Sequence, residues 1–560
     1  MSPAATGPGG HTAAEIRRAF DAAIDLWGVR VELSPPEPWK GGGDSHWKTD
    51  EPLAYIDLET RQIVVNLPLL ERMGARDSLT AVLAHEVGHH VRFPHSLGLV
   101  AALRVLELRL IPGLSQSLTN LFFDLQVNEV VGRTRAGELA AVYRGFVRDA
   151  EQLSPLFCFY LAIYEELWGS GAGSLVPEDQ IAGMERRFPG CRADARVFSQ
   201  TFYELPGVYL QFIYFCSRFL RYVTDAAEGA SGMPLGSDVP APDADDLYRA
   251  IAGVPGIEEA LEEARGRGWM EESGAVDREE GDAFTVIDRV VEHLPGSGGG
   301  ELRRALVSKH YRRLIEPWII EIPGVSSEPE AFLPTITEDW EPGESPGKID
   351  WTASVIERGA LAGALPRQRE LETDPPPEPE GALPWVEIYL DTSGSMPNPE
   401  RQLNAMTLAA QILSASAIRR GGSVRGIIYS SGNPAASDWM RDEDTAREFL
   451  LGYIGGGTDY PFELLLASAE QRDDAIRVII SDSDFLYNVG SGTHRRDLLA
   501  GTERSRLLVA FLAVPNAARA LDAIGPAAGS PRFRLVTVRD LSDFAAAAAR
   551  LAEAVLGPLR

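Results

Sequence analysis

The segment from Glu372 to Pro384, ETDPPPEPEGALP, constrains this chain more than any other stretch. Its prolines lock φ and remove backbone donors, so it continues neither a helix nor a central strand, and its carboxylates keep it in water. Every folded core must therefore be completed on one side of it or the other. At 560 residues the chain also exceeds one ordinary core, so two or three domains are expected, and 44% hydrophobic with 24% charged residues suits soluble globular domains.

Downstream, the strand-like runs VEIYLD, SVRGIIYS, RVIISD, RLLVAFLA and RLVTV alternate with helical stretches, the rhythm of a doubly wound α/β sheet over residues 385–560. Upstream, YIDLETRQIVVN (Tyr55 to Asn66) reads as a hairpin, and Asp77 and Ser78 supply capping chemistry for a helix over Leu79 to Val91. From Leu97 to Val223 the pattern is helical and aromatic, an α-rich body whose rings are core. The expected divisions are an α-rich domain at 1–225, a helical and loop extension at 226–371 with a Gly/Pro/Asp-rich loop from Glu228 to Asp246, the linker at 372–384, and the α/β domain at 385–560.

Acidic residues number 81 against 53 basic ones, and a net charge of -28 repels phosphate backbones and anionic membranes, so neither nucleic acid nor membrane is an expected partner. The three cysteines, Cys158, Cys191 and Cys216, form no CxxC pair, which argues against a disulfide framework and fits a cytoplasmic location. The first residues carry no secretory pattern. The most apolar run, Leu97 to Leu114, is interrupted by Arg104, Glu107 and Arg109 and reads as a buried or amphipathic helix.

In AVLAHEVGHHV, His85 and His89 stand one helical turn apart, so both imidazoles can reach one zinc ion, with Glu86 beside it. A carboxylate so placed takes a proton from the attacking water and passes it to a leaving amine, which is peptide-bond hydrolysis. His90 points about 100° away and cannot join them.

A catalytic zinc needs a third protein ligand. His95 follows at a suitable interval, but Arg92 stands where a turn would favour glycine, and Pro94 intervenes. In NLFFDLQVNE, by contrast, Asn120, Asp124 and Asn128 recur every four residues and line one face of a helix that is otherwise apolar. Asp124 is the preferred ligand and Asn120 and Asn128 the residues that orient the ligands, with His95 the alternative to Asp124. Glu129 falls on another face.

HEVGHHVRFP followed by NLFFDLQVNE resembles the bacterial and archaeal HExxH zinc metallopeptidases that pair these two helices, some of which are fused to a von Willebrand factor A (VWA) domain. The resemblance spans residues 50–145 and implies a zincin-like domain and peptidase activity.

Asp391, Ser393 and Ser395 form DxSxS directly after the strand WVEIYL, at a strand end where open α/β sheets bind ligands. Two hydroxyls and a carboxylate are the oxygen set of Mg2+ or another hard divalent cation, and Thr458 in GGGTDY and Asp482 in VIISDSD extend it. This order resembles the metal-ion-dependent adhesion site of VWA domains. SDSD replaces a commoner TDG, so Asp484 competes with Asp482, and strand continuity through Ile480 favours Asp482. The combined expectation is a zinc peptidase whose VWA domain binds a protein partner or substrate. The alternative is a non-enzymatic adaptor of a MoxR-type AAA+ ATPase, a partner implied by the VWA resemblance alone, with a structural or vestigial zinc site.

Overall fold

The computed structural model describes residues 13–28, 33–39, 52–57, 60–111, 117–149, 152–223, 242–270, 283–293, 299–319, 336–340, 349–351, 354, 365–370, 383–490 and 492–556. The linker expected at 372–384 lies outside these residues except for Leu383 and Pro384, as does most of the loop from Glu228 to Asp246. The chain divides into two compact units, Met1–Leu302 and Arg303–Arg560. Among the described residues no helix is long and apolar enough to cross a membrane.

The first unit opens with α1 (Ala13–Trp27) and a small sheet of β1 (Glu37–Pro38), β2 (Ala54–Asp57) and β3 (Gln62–Val65), ordered β1-β3-β2. β2 and β3 form the expected antiparallel hairpin, with Ile56 opposite Ile63. Alternation sends Ala54, Ile56, Ile63 and Val65 into a core shared with Leu83, Val87 and Val127. After α2 (Leu67–Arg72), α3 (Leu79–Val91) has the bounds read from the sequence.

The start of α3 differs from expectation. The Ser78 side chain makes no cap; Arg76–Ser78 form a 3-10 turn that runs straight into the helix. An orphan donor of the first turn, the Ala81 N–H, is instead accepted at 3.2 Å by Glu138 Oε2, a carboxylate from a distant helix that also favours the positive helix end. That helix is α5 (Thr119–Asp149), which follows α4 (Leu97–Leu110) and is broken locally at Arg135.

α3 is held closely on both sides. The Trp27 indole donates to the Ala84 carbonyl at 2.8 Å, and at Gly88 an added Cβ would lie 2.5 Å from both the Trp27 ring and Val127 Cγ1. Glycine at this position lets α1 and α5 close on the helix that carries both histidines. Beyond it, α6 (Pro155–Leu167), α7 (Glu178–Arg187), α8 (Cys191–Thr201) and α9 (Val208–Phe219) bury an aromatic core around Phe122, Phe159, Phe198 and Phe215. The unit's described helices continue with α10 (Ala244–Ala252), α11 (Ile257–Gly266) and α12 (Ala283–His293).

The second unit begins within α13 (Gly299–Ile315) and contains an antiparallel pair, β4 (Ile336–Asp339) with β5 (Arg367–Glu370). Among the described residues its main sheet has six strands: β6 (Trp385–Asp391), β7 (Ser423–Tyr429), β8 (Ala435–Ala436), β9 (Ile476–Asp482), β10 (Leu507–Ala513) and β11 (Phe533–Val538). The order is β11-β10-β9-β6-β7-β8, all parallel except β8, a short antiparallel edge absent from the sequence reading. Helix α14 (Ala405–Arg419) packs with α15 (Glu443–Leu450) and α20 (Phe544–Leu556). The remaining helices, α16 (Phe462–Gln471), α17 (Asp484–Val489), α18 (Gly492–Glu503) and α19 (Ala517–Ile524), form a second group that buries Tyr389, Tyr429 and Ile479.

Charge also enters this core. Glu387 pairs in register with Arg425 on β7 and Arg477 on β9, and its carboxylate meets the Arg477 guanidinium at 2.8 Å and that of Arg425 at 3.2 Å. Ser468 Oγ donates to the same carboxylate, at 2.7 and 2.8 Å from its two oxygens. Glu387 and Arg477 are both fully buried, so the Arg477 charge depends on the Glu387 carboxylate to be tolerated there.

Candidate metal centres

In the first unit α3 supplies His85, Glu86 and His89, and α5 supplies Asp124 from the facing helix. The two imidazole Nε2 atoms lie 3.0 Å apart, and Asp124 Oδ1 is 3.6 Å from that of His85 and 3.3 Å from that of His89. All three residues are buried and form a group with the spacing to hold a metal ion. Behind each ring stands an acceptor: Asn128 Oδ1 at 2.8 Å from His85 Nδ1, and the Phe93 carbonyl at 2.8 Å from His89 Nδ1. Each acceptor takes the Nδ1 proton and turns Nε2 inward, where a lone pair is available once the ring is neutral.

The donor set fits a zinc ion. Among the described residues Asp124 Oδ2 is buried with no hydrogen-bond partner, a costly state for a carboxylate oxygen beside two inward-facing imidazole nitrogens. Burial lowers the His85 pKa to about 3, with the His89 charge adding to the effect against the Asn128 hydrogen bond. At His89 burial acts downward too, but the Asp124 hydrogen bond and charge, the Glu86 charge and the Phe93 carbonyl overcome it and hold the group at about 9. Burial raises Asp124, against the pull of His89. Two imidazoles and a carboxylate thus face one another out of water, where a cation would satisfy all three.

Glu86 borders a small cavity of about 20 Å3 together with His85, Asn128 and Tyr143, its other walls being Leu53, Ala54, Val82, Leu139 and Val142. Of the remaining sequence candidates, Asn120 shares the Asp124 face, but its buried Oδ1 has no hydrogen-bond partner among the described residues. His95 is exposed, at φ 51°, with its ring 2.9 Å from the Arg92 carbonyl and outside the cluster. Glu129 pairs with Arg133. Sequence reasoning missed Tyr143 and Tyr164, whose hydroxyls both lie 2.9 Å from Asn128 Nδ2. A tyrosine in an apolar helix reads as core, and only its obligation to find a partner for the hydroxyl hints at more.

Residues 40–149 match the model of Peptidase family M48. M48 is a family of zinc metallopeptidases, and the match supports protease activity for this chain. The M48 span contains the hairpin, α3 and α5, hence His85, Glu86, His89, Asp124 and Asn128 together. No curated protein matches the chain.

In the second unit, strand order reverses between β6 and β9, and the carboxyl ends of those strands carry Asp391 and Asp482. Such a switch point opens a crevice for a ligand. Ser393 Oγ is 3.1 Å from Ser395 Oγ, which donates to Asp482 Oδ2 at 3.2 Å. Asp391 is buried and accepts the Ser393 N–H at 2.9 Å. It also accepts the Ser481 hydroxyl at 2.5 Å, a partner the sequence reading missed.

Burial raises the Asp391 pKa, against the Ser481 and Ser393 hydrogen bonds, with the Asp482 charge adding to the rise. Asp482 Oδ1 accepts the Asp484 backbone N–H at 2.8 Å, so Asp482 is the carboxylate beside Ser395. Thr458 Oγ1 is buried without a hydrogen-bond partner among the described residues. Its loop is brought close by Gly456, at φ 95°, whose carbonyl accepts the Gly394 N–H at 2.6 Å. Clustered oxygens and an unsatisfied hydroxyl suit a hard divalent cation.

Proposed function

We propose that the chain is a zinc-dependent peptidase in which His85, His89 and Asp124 hold the metal and Glu86 is the general base. The observation that supports this most is the convergence of His85 Nε2, His89 Nε2 and Asp124 Oδ1, with each ring braced from behind at 2.8 Å. Zinc bound there supplies a Lewis acid for the scissile carbonyl and acidifies the attacking water. Glu86 accepts that water's proton on its carboxylate and returns it to the leaving amine. The apolar walls around Glu86 keep competing water away from the transfer. The substrate is a protein or peptide.

Residues 385–560 are read as a VWA domain that binds Mg2+ or another divalent cation through Asp391, Ser393, Ser395, Thr458 and Asp482. The open position on that ion accepts a carboxylate from a protein partner, with a MoxR-type AAA+ ATPase as one such partner. A cytoplasmic setting belongs to the same reading. The depth of the zinc site, where His85, Glu86, His89 and Asp124 are each no more than 3% exposed, favours a second reading. In it the metal only stabilises the α-rich unit and the chain acts as an adaptor.

One comparison separates the two. Zinc per chain and cleavage of a casein substrate are measured for wild type, Glu86→Gln, His85→Ala and Asp124→Ala. The peptidase reading expects zinc retained and cleavage lost in Glu86→Gln, and zinc lost in the other two. Cleavage by Glu86→Gln equal to wild type overturns it, and zinc without cleavage in wild type supports the adaptor.

A further inference from the structure

The geometry points to Tyr164, acting with Tyr143, as the positioning residue that decides which nitrogen of His85 carries the proton, by fixing which way the Asn128 amide faces. This rests on the reading of His85 as a metal ligand through Nε2.

Asn128 is fully buried, and both ends of its amide are engaged. Oδ1 lies 2.8 Å from His85 Nδ1, and Nδ2 lies 2.9 Å from the hydroxyls of Tyr143 and Tyr164. By count alone the amide is equally satisfied when reversed: its carbonyl would accept from two hydroxyls and its NH2 would donate to His85 Nδ1. That reversal would move the His85 proton to Nε2, aim it at His89 and Asp124, and remove the lone pair a metal needs.

The tie is broken one residue further back. The Tyr164 hydroxyl lies 3.4 Å from the backbone carbonyl of Asp124, a group that only accepts, and 2.7 Å from the Tyr160 hydroxyl. A Tyr164 proton sent in either direction leaves its oxygen lone pair facing Asn128, which calls for Nδ2 there and Oδ1 toward His85. The path runs one way from the Asp124 carbonyl through Tyr164 and Asn128 to His85, and the Asp124 carboxylate then meets His85 again at the metal position.

Packing keeps the path in line. The Tyr164 ring stacks on Trp168 with centroids 4.4 Å apart, and Trp168 sits so close to Gly132 that an added Cβ would collide with its Nε1. Tyr143 packs beside Tyr164 at 5.3 Å. Both rings hold their places without the hydroxyls, so phenylalanine removes the hydrogen bond and little else.

The test reads the tautomer directly. Full-length metal-free protein with 15N-labelled histidine is examined by NMR at neutral pH, His85 being assigned from the signal lost in His85→Ala, and zinc affinity is measured by competition with a chelator dye. Wild type is expected to show His85 protonated at Nδ1. Tyr164→Phe should give a mixture of tautomers and about tenfold weaker zinc binding. Tyr160→Phe, which leaves the Asp124 carbonyl as acceptor, should match wild type. In Tyr164→Phe/Asn128→Asp the new carboxylate can only accept, so the Nδ1 proton should return. A Tyr164→Phe protein with wild-type tautomer and zinc affinity overturns the assignment, as does a double variant that does not restore the tautomer. Wild type that shows the expected tautomer yet binds no zinc overturns the metal reading instead.

Discussion

Gly88 gives the sharpest prediction about the peptidase-like unit. In Gly88→Ala the new methyl would stand 2.5 Å from the Trp27 ring and 2.5 Å from Val127 Cγ1, where carbon atoms need close to 4 Å. Neither neighbour is the free end of a flexible chain. Trp27 is tied by its indole to Ala84, and Val127 is fully buried on α5 only three residues from Asp124. Relief therefore means pushing α1 or α5 off α3, and overpacking of this kind costs about 2–3 kcal/mol. At about 2 cal/mol/K of unfolding entropy per residue, the unit Met1–Leu302 loses roughly 1.5 °C of melting temperature per kcal/mol, so a drop on the order of 3–5 °C is expected by calorimetry.

The same displacement pulls Asp124 from the histidines, so zinc affinity should fall with stability. Gly137→Ala is the control. That glycine lies on an exposed part of α5 with open space around it, and alanine there should be neutral or stabilising by up to about 1 kcal/mol. If Gly88→Ala melts within a degree of wild type and binds zinc equally well, the close approach of the three helices is wrong.

Three further outcomes follow from the same structure. Glu387→Gln removes the carboxylate that compensates the buried Arg477 and should destabilise the second unit by roughly 3–5 kcal/mol in urea unfolding. Glu138→Ala frees the Ala81 N–H and should cost about 1 kcal/mol, read as a lower urea midpoint. Ser481→Ala removes the hydroxyl that steadies Asp391, and calorimetric titration with Mn2+ should show affinity reduced by about tenfold.

What could be read in advance was whatever one element reveals about itself. The hairpin and the helix from Leu79 to Val91 announce themselves by alternation and by a histidine pair one turn apart, and Asp124 shows as a polar stripe on an apolar helix. DxSxS is likewise local. The partners that complete both centres are not. Asn128 and Tyr164 are 36 residues apart, Ser481 and Asp391 are 90 apart, and Glu138 caps a helix 57 residues before it. No periodicity encodes such meetings; they come from how helices and strands stack. The Ser78 cap failed for the same reason, since a carboxylate arriving from α5 serves the Ala81 donor that Ser78 does not. Glu387, Arg425 and Arg477, charges set inside apolar strand runs, were an unused clue, because a charge in a central strand demands a buried partner.

That trio has an effect beyond its own energy. Each of the three strands carries one charge at the same height, so sliding any strand by a residue would strand a guanidinium in hydrocarbon on the opposite face. Four residues along from Glu387, Arg425 and Arg477 come Asp391, Tyr429 and Ser481, level with one another by construction. The ladder works as a gauge block: it sets the elevation of the upper rim without touching it. Loops leaving that rim can then be lengthened or exchanged, and the carboxylate of Asp391 still meets the hydroxyl of Ser481 at the same level.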